Sequence, residues 1–483
     1  FEITNQTKTN DSDEYTYQFM VKNPESSKAI FKKYILKKGV LFELKTLVDT
    51  VLPPSRFVKE FFNSFKIKDT LLGKPVLTDK TNLFFEALKN NDSIIYNDFS
   101  LVKFSAKHSE KIKNTLAKFN FPEERNDIKS FLTYFLVKND FVKHQKFIKK
   151  FYRANYSDPN TQSSILSALL NLETNKAYQF YLELLEIDLP LDYGGLGNFY
   201  NFNNKKSLKK RVKLFPELLK YSTIQEYKQP IYDLLAQLKD SSLVTPGIYK
   251  TYKDQIITDG KIEIKRSLSN EIEYGYETDL NSFLKLIYPY KKEKNVKSFF
   301  ENLLFTDDPY TLSTYYALLV KNNENIPSSL EDKTIKKTDK LHVLLQILHR
   351  YNLLNKAKLK NITQLDYTTS LLKNNIDFED KKDSLIFLNK RTFKTEKEGV
   401  ATMYFYKFIG KGNYTDKTEK LYSYAFLNPK EKGTIQTEVY YYDRYGHEID
   451  KTINIEEQLK EQINLARYKN RKRVSKKSRY HDY

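Results

Sequence analysis

The chain has 483 residues, a formal net charge of +20, and neither cysteine nor tryptophan. Disulfides, thiolate metal sites and cysteine nucleophiles are thereby excluded, and no apolar run approaches the roughly 18 residues that a membrane-spanning helix needs. A chain of this length is expected to hold about two to four domains, and its 37 tyrosines and 33 phenylalanines supply core material that a 40% hydrophobic fraction would otherwise leave thin.

The charge comes from 69 lysines and only 12 arginines. Phosphate and base recognition favours the planar arginine fork, so the excess reads first as a diffuse, solvated basic surface. Beginning at Phe1 without an initiator methionine, the sequence reads as a processed product or a fragment.

Residues 1–70 are expected to form an α+β domain. Tyr15, Tyr17, Phe19 and Val21 alternate with polar residues, as a half-buried strand requires. Ala29–Leu36 and Val40–Val48 pair as a hairpin around Lys38-Gly39. After Pro53-Pro54-Ser55 a helix puts Phe57, Phe61, Phe62 and Phe65 on one face, read as core against the sheet. Residues 71–108 form a mixed connecting segment with a short helix at Leu83–Lys89.

From 109 to 382 the period is helical, in segments of about 10 to 16 residues joined by short polar loops. One sentence is written twice there: Asp158-Pro159-x-Thr161-x-Ser163 and Asp308-Pro309-x-Thr311-x-Ser313, each running into an apolar helical stripe. Proline is tolerated in a helix's first turn, where its missing N–H would have had no partner. Helix, tight turn and amphipathic helix together form the unit of a HEAT-like α-solenoid. Residues 383–452 alternate instead, with strands expected at Leu385–Arg391, Val400–Ile409, Lys420–Leu427 and Ile435–Asp443. Residues 453–483 read as an amphipathic helix, Ile455–Arg467, and a basic tail. The fold expected is therefore α+β multidomain, with a central helical solenoid and a C-terminal antiparallel sheet.

No catalytic motif, cofactor signature or metal-ligand spacing emerges. His342 and His349 lie two helical turns apart, too far for one metal without further ligands. Glu123, Glu124 and Asp127 complement a helix N-terminus. The loop Tyr193-Gly194-Gly195-Leu196-Gly197 lacks the strand and Lys-Ser/Thr of a phosphate cradle and is read as a partner-contacting loop. Lys205, Lys206, Lys209, Lys210, Arg211 and Lys213 are read as the solvated face of a helix. The stronger electrostatic feature is the tail, with Arg467, Lys469, Arg471, Lys472, Arg473, Lys476, Lys477 and Arg479. It suits an acidic partner, an anionic membrane surface or nucleic acid, or else serves as a solubilising end. Tyr404, Tyr406, Tyr422, Tyr424 and Tyr440–Tyr442 are expected to pair across the last sheet.

Phe61-Phe62-Asn63-Ser64-Phe65, after a hairpin ending Leu47-Val48-Asp49, resembles the close of PsbP/Mog1-like domains. The Asp-Pro helix pairs resemble HEAT repeats, though Gln162 and Leu312 stand where an arginine is common. The succession of both, with Leu214-Phe215-Pro216-Glu217-Leu218-Leu219 and the final β segment, resembles the C-terminal region of TraB/GumN-family envelope proteins of Bacteroidota. The glycine-flanked histidine of that family's catalytic module finds no match, so its metal-dependent peptidase activity is carried to no residue. What the resemblance implies is a periplasmic or outer-membrane-associated address and a protein partner in an outer-membrane complex. Two other readings stay open: a nucleic-acid-binding helical-repeat protein, and the accessory region of a TraB/GumN-type hydrolase whose catalytic module lies elsewhere.

Overall fold

In the computed structural model the described residues are 2–11, 14–23, 26–37, 40–50, 52–67, 79–92, 99–122, 125–191, 205–269, 280–337, 339–357, 359, 361–376, 378–379, 382–411, 417–429 and 433–468. They fall into two compact units, Phe1–Gln145 and Lys146–Tyr483.

The first unit opens with a four-stranded antiparallel meander: β1 (Glu2–Asp11), β2 (Glu14–Lys22), β3 (Lys28–Lys37) and β4 (Val40–Asp49), paired in chain order. The expected hairpin is present, with Ala29 opposite Val48 and Lys37 opposite Val40; its Lys38-Gly39 turn lies outside the described residues. Helix α1 (Arg56–Ser64) starts where the Ser55 hydroxyl accepts the Val58 N–H, and it sets Phe62 against Phe31, ring centroids 4.8 Å apart. The phenylalanine stripe is only half core. Phe62 is buried, Phe65 packs on Phe42, but Phe57 and Phe61 are 76% and 52% exposed. With four residues at helical spacing over a wide arc, α1 can press only one edge of the stripe onto a small sheet. The rest of the unit is α2 (Thr81–Asn90), α3 (Ser109–Lys118) and the start of α4 (Asn126–Ala154), a helix that kinks at Asp140. Phe84, Phe104, Phe131 and Phe135 interlock there at centroid separations of 4.8 to 5.8 Å.

In the second unit, both Asp-Pro sentences do what the sequence predicts. Asp158 accepts the Thr161 N–H at 3.0 Å and its hydroxyl at 2.7 Å at the start of α5 (Pro159–Leu172). Asp308 accepts the Tyr310 and Thr311 N–H groups at the start of α12 (Pro309–Lys321). Each cap satisfies N–H groups that the helix itself leaves open. Between and around them lie α6 (Asn175–Leu185), α7 (Lys205–Arg211), α8 (Gln225–Asp240), α9 (Lys253–Ser269), α10 (Leu280–Ile287), α11 (Lys294–Leu303), α13 (Ser328–Thr334), α14 (Leu341–Arg350) and α15 (Gln364–Asn375). A 3-10 segment, Pro246–Tyr252, leads directly into α9, and α13 carries no stripe by which the sequence would reveal it.

Helices pack both on the next and on the next but one: α8 lies on α10, α10 on α12 and α12 on α14, while α5 packs on α6, α9 on α10 and α11, α12 on α13 and α14 on α15. Gly260 allows the closest approach, since a Cβ there would sit 2.8 Å from Ile287 Cδ1 and 3.0 Å from Phe299 Cε2. Buried tyrosine hydroxyls tie together segments distant in the chain. Tyr152 donates to the Asp188 carbonyl, Tyr227 to that of Pro190, Tyr249 to that of Leu286 and Tyr288 to that of Leu318, over 36, 37, 37 and 30 residues. At one edge Asp240 accepts both Lys285 Nζ and the Tyr351 hydroxyl at 2.9 Å, so the end of α8 touches the residue that closes α14.

The C-terminal sheet has the order β5 (Ser384–Lys394), β6 (Val400–Lys411), β7 (Lys417–Leu427), with β7 also pairing the two-residue strands β8 (Tyr441–Tyr442) and β9 (His447–Glu448). It is sandwiched. Tyr404, Tyr406, Phe408, Tyr422 and Tyr424 pack onto α14 and α15; Met403, Phe405 and Leu421 pack onto α16 (Ile455–Arg467). Tyr404 stands opposite Tyr424 and Tyr406 opposite Tyr422, so the tyrosine rows form core pairs. The strand expected over 435–443 shrinks to Tyr441–Tyr442. Side chains of α15 take over the backbone groups a ladder would have used: Gln364 exchanges hydrogen bonds with Gln436, and Tyr367 donates to the Thr437 carbonyl.

Replacing Tyr249 by phenylalanine deletes the buried hydroxyl that donates to the Leu286 carbonyl, which costs about 1–3 kcal/mol. Urea unfolding of the variant should register a loss in that range; a value near zero would show that the hydroxyl is passive.

Candidate interaction groove

A concavity in the second unit lies beside the first Asp-Pro turn, with a volume of about 730 Å³. Its rim carries Tyr156 and Leu191, 76% and 60% exposed, and Pro159, Ile187 and Ile224 add apolar wall. The floor is the segment Glu186–Leu191, which leaves α6 and is kept from continuing as helix by Pro190.

Three tyrosines pin this segment. Tyr152 holds the Asp188 carbonyl at 3.0 Å, Tyr227 holds the Pro190 carbonyl at 2.7 Å, and the Tyr221 hydroxyl reaches Glu186 Oε1 at 3.2 Å. Burial pushes the Tyr152 and Tyr221 phenols above their ordinary pKa, so both remain protonated donors through the neutral range. The floor is therefore rigid before anything binds.

Two carboxylates face the groove. Glu186 is offset by Lys220, which forms a close ion pair with it. Asp188 accepts Gln162 Nε2 at 2.7 Å, and among the described residues no cation pairs with it. The lining includes neither lysine nor arginine among those residues, in a chain with 81 basic and 61 acidic residues.

The other candidate residues fall elsewhere. Tyr193, Gly194, Gly195, Leu196 and Gly197 lie outside the described residues, as do Glu123, Glu124 and the tail from Lys469 to Arg479; Arg467 is the last residue of α16. The Lys205–Lys213 run is not uniformly solvated. Lys210 reaches Glu173 at 2.9 Å, and Arg211 is fully buried, where desolvation pulls its guanidinium down to about 10 despite nearby Tyr178, Tyr181 and Glu173. On a helix of seven residues, one position in such a run must face inward, and Arg211 takes it.

Lys228, Asp259, Tyr232, Ser222 and Gln255 form one hydrogen-bonded network, with Ser222 fully buried, that fastens α8 to α9. Among the described residues no group of three or more His, Asp or Glu side chains could hold a metal ion, and no helix is long and apolar enough to cross a membrane. His342 is buried, its Nδ1 3.0 Å from the Ser370 hydroxyl, and burial lowers its pKa to about 4.

Sequence reasoning passed over Tyr156, Asp188, Leu191 and Tyr221. A signal was present in Asp188-Leu189-Pro190-Leu191, where apolar residues sit in a segment that proline keeps out of the helix. Compared with known proteins, the chain matches no family model, no curated protein and no solved structure.

The histidine carries a pH dependence. Its folded pKa lies below the value of 6.5 it has when unfolded, so the unfolded chain binds protons first as pH falls. Stability attributable to His342 is complete above pH 6.5 and declines towards pH 4, by roughly 3 kcal/mol at full extent. Denaturant titrations across that window should show a shallower acid slope for His342→Gln than for the natural chain; parallel slopes would contradict the assignment.

Proposed function

We propose that this chain is a non-enzymatic protein-interaction scaffold of the bacterial cell envelope, a subunit of an outer-membrane-associated complex. The helical middle is taken as a short, tightly curved HEAT-like array that presents surface rather than chemistry. The observation that carries this reading is the packing of α8 on α10, α10 on α12 and α12 on α14, with tyrosine hydroxyls from the intervening segments bonded to the ends of α10 and α12. Helical arrays of this type gain affinity through extended contact. The buried polar clusters support the same reading, because their side chains are consumed in joining helices. The envelope address rests on the resemblance to TraB/GumN-family C-terminal regions, as does the alternative that a catalytic module elsewhere supplies a hydrolase activity.

Affinity purification of the tagged chain from gently solubilised envelope extracts is expected to recover a partner in stoichiometric amount. A monomer that brings down no stoichiometric partner under those conditions would overturn the scaffold reading.

A second reading, nucleic-acid binding, is favoured by the eight basic residues and one acid between Arg467 and Tyr483. It requires filter-binding affinity that falls steeply with salt, and a shallower salt slope after truncation at Tyr468. Weak binding that is insensitive to this truncation would dismiss it.

A further inference from the structure

We infer that the groove beside the first Asp-Pro turn is a docking site for an extended segment of a partner protein that carries lysine or arginine between apolar side chains. This rests on the scaffold reading and names where and what the scaffold binds.

The apolar half of the argument is exposure. Tyr156 and Leu191 stand at the rim, three-quarters and three-fifths exposed, with Pro159, Ile187 and Ile224 beneath them. Large side chains held open to water around one concavity gain by covering it. A volume of about 730 Å³ suits a few side chains of an extended peptide and lies in the usual range for ligand clefts.

Charge sets the polarity of the occupant. On a protein with an excess of positive charge, this lining presents Glu186 and Asp188 and, among the described residues, no cation. Lys220 offsets Glu186 from outside the lining, but Asp188 receives only the neutral amide of Gln162. A half-buried carboxylate without a counter-ion attracts an ammonium or guanidinium from the ligand. An acidic segment would be repelled by this carboxylate where a basic one is drawn in, so sign discriminates as well as attracts.

Preorganisation supplies the third element. The floor backbone is fixed through the carbonyls of Asp188 and Pro190, both already taken by tyrosines, so docking orders little that is not already ordered.

The test uses the full chain and a fluorescein-labelled hexapeptide alternating leucine and lysine, titrated by fluorescence anisotropy against a leucine–glutamate counterpart. The lysine peptide is expected to bind at least tenfold more tightly. Tyr156→Ala and Leu191→Lys, both at exposed positions, are each expected to weaken it fivefold or more without moving the thermal midpoint. Asp188→Asn should erase most of the preference for lysine over glutamate. Equal binding of the two peptides, or unchanged binding in all three variants, would overturn the assignment. A tenfold gain in affinity on truncation at Tyr468 would make the chain's own basic tail the occupant, and would equally overturn assignment to a partner. If the envelope partner is recovered at full stoichiometry by the Tyr156→Ala/Leu191→Lys chain, the groove fails while the scaffold reading stands. Peptide binding that behaves as expected, without any envelope partner, would sink the scaffold reading alone.

Discussion

The hydrogen bond from a tyrosine hydroxyl to a backbone carbonyl of a neighbouring element is what the second unit depends on. A helix leaves its last four carbonyls without intrahelical partners, and a stack of short helices multiplies such ends. Leu286 and Leu318 lie in the closing turns of α10 and α12, and each receives a tyrosine from a preceding element. Asp188 and Pro190, just beyond α6, are met in the same way. The ring fills the seam while the hydroxyl reaches a carbonyl of the neighbouring element, alone or, at Leu318, beside the Asn322 amide, so one residue type meets two needs. A chain rich in tyrosine and devoid of tryptophan and cysteine thereby adds side-chain hydrogen bonds to a leucine- and isoleucine-rich helical core.

The elements that were legible in the sequence are those whose local chemistry is self-sufficient. The Asp-Pro caps, the β3–β4 hairpin and the β6–β7 pair each carry their own period or punctuation, and the structure places them where the pattern does. Where long-range contacts decide, the pattern misleads. Phe57 and Phe61 share a stripe with Phe62, yet they stack on each other at the surface while Phe62 alone is buried on the sheet. Residues 435–440 alternate like a strand, yet Gln364 and Tyr367 claim their backbone. Arg211 reads as one more surface cation in a lysine run, and its burial depends on Tyr178, Tyr181 and Glu173, more than 25 residues away in sequence. The groove was hidden for the same reason: Tyr156, Asp188 and Tyr221 meet only through the fold.

The distribution of charge also becomes intelligible only in three dimensions. Lysines that look superfluous in composition stand beside specific acids, as Lys228 does with Asp259 and Lys253 with Glu293. These pairs link neighbouring helices, with stems lying along apolar surface and heads at its edge. Against that background Asp188 joins the carboxylates, such as Asp308 and Asp366, that among the described residues meet only neutral partners, and it alone of these three lines the groove.

The contact between Asp240 and Tyr351 spans 111 residues and joins the end of α8 to the residue capping α14. A linear stack of repeats is quasi-one-dimensional, free to melt inward from either terminus, each unit answering only to its neighbours. Here α8 is held by the residue that closes α14, three packing steps away. Opening either of these two helix ends costs a contact made by the other, which couples their unfolding across the length of chain between them.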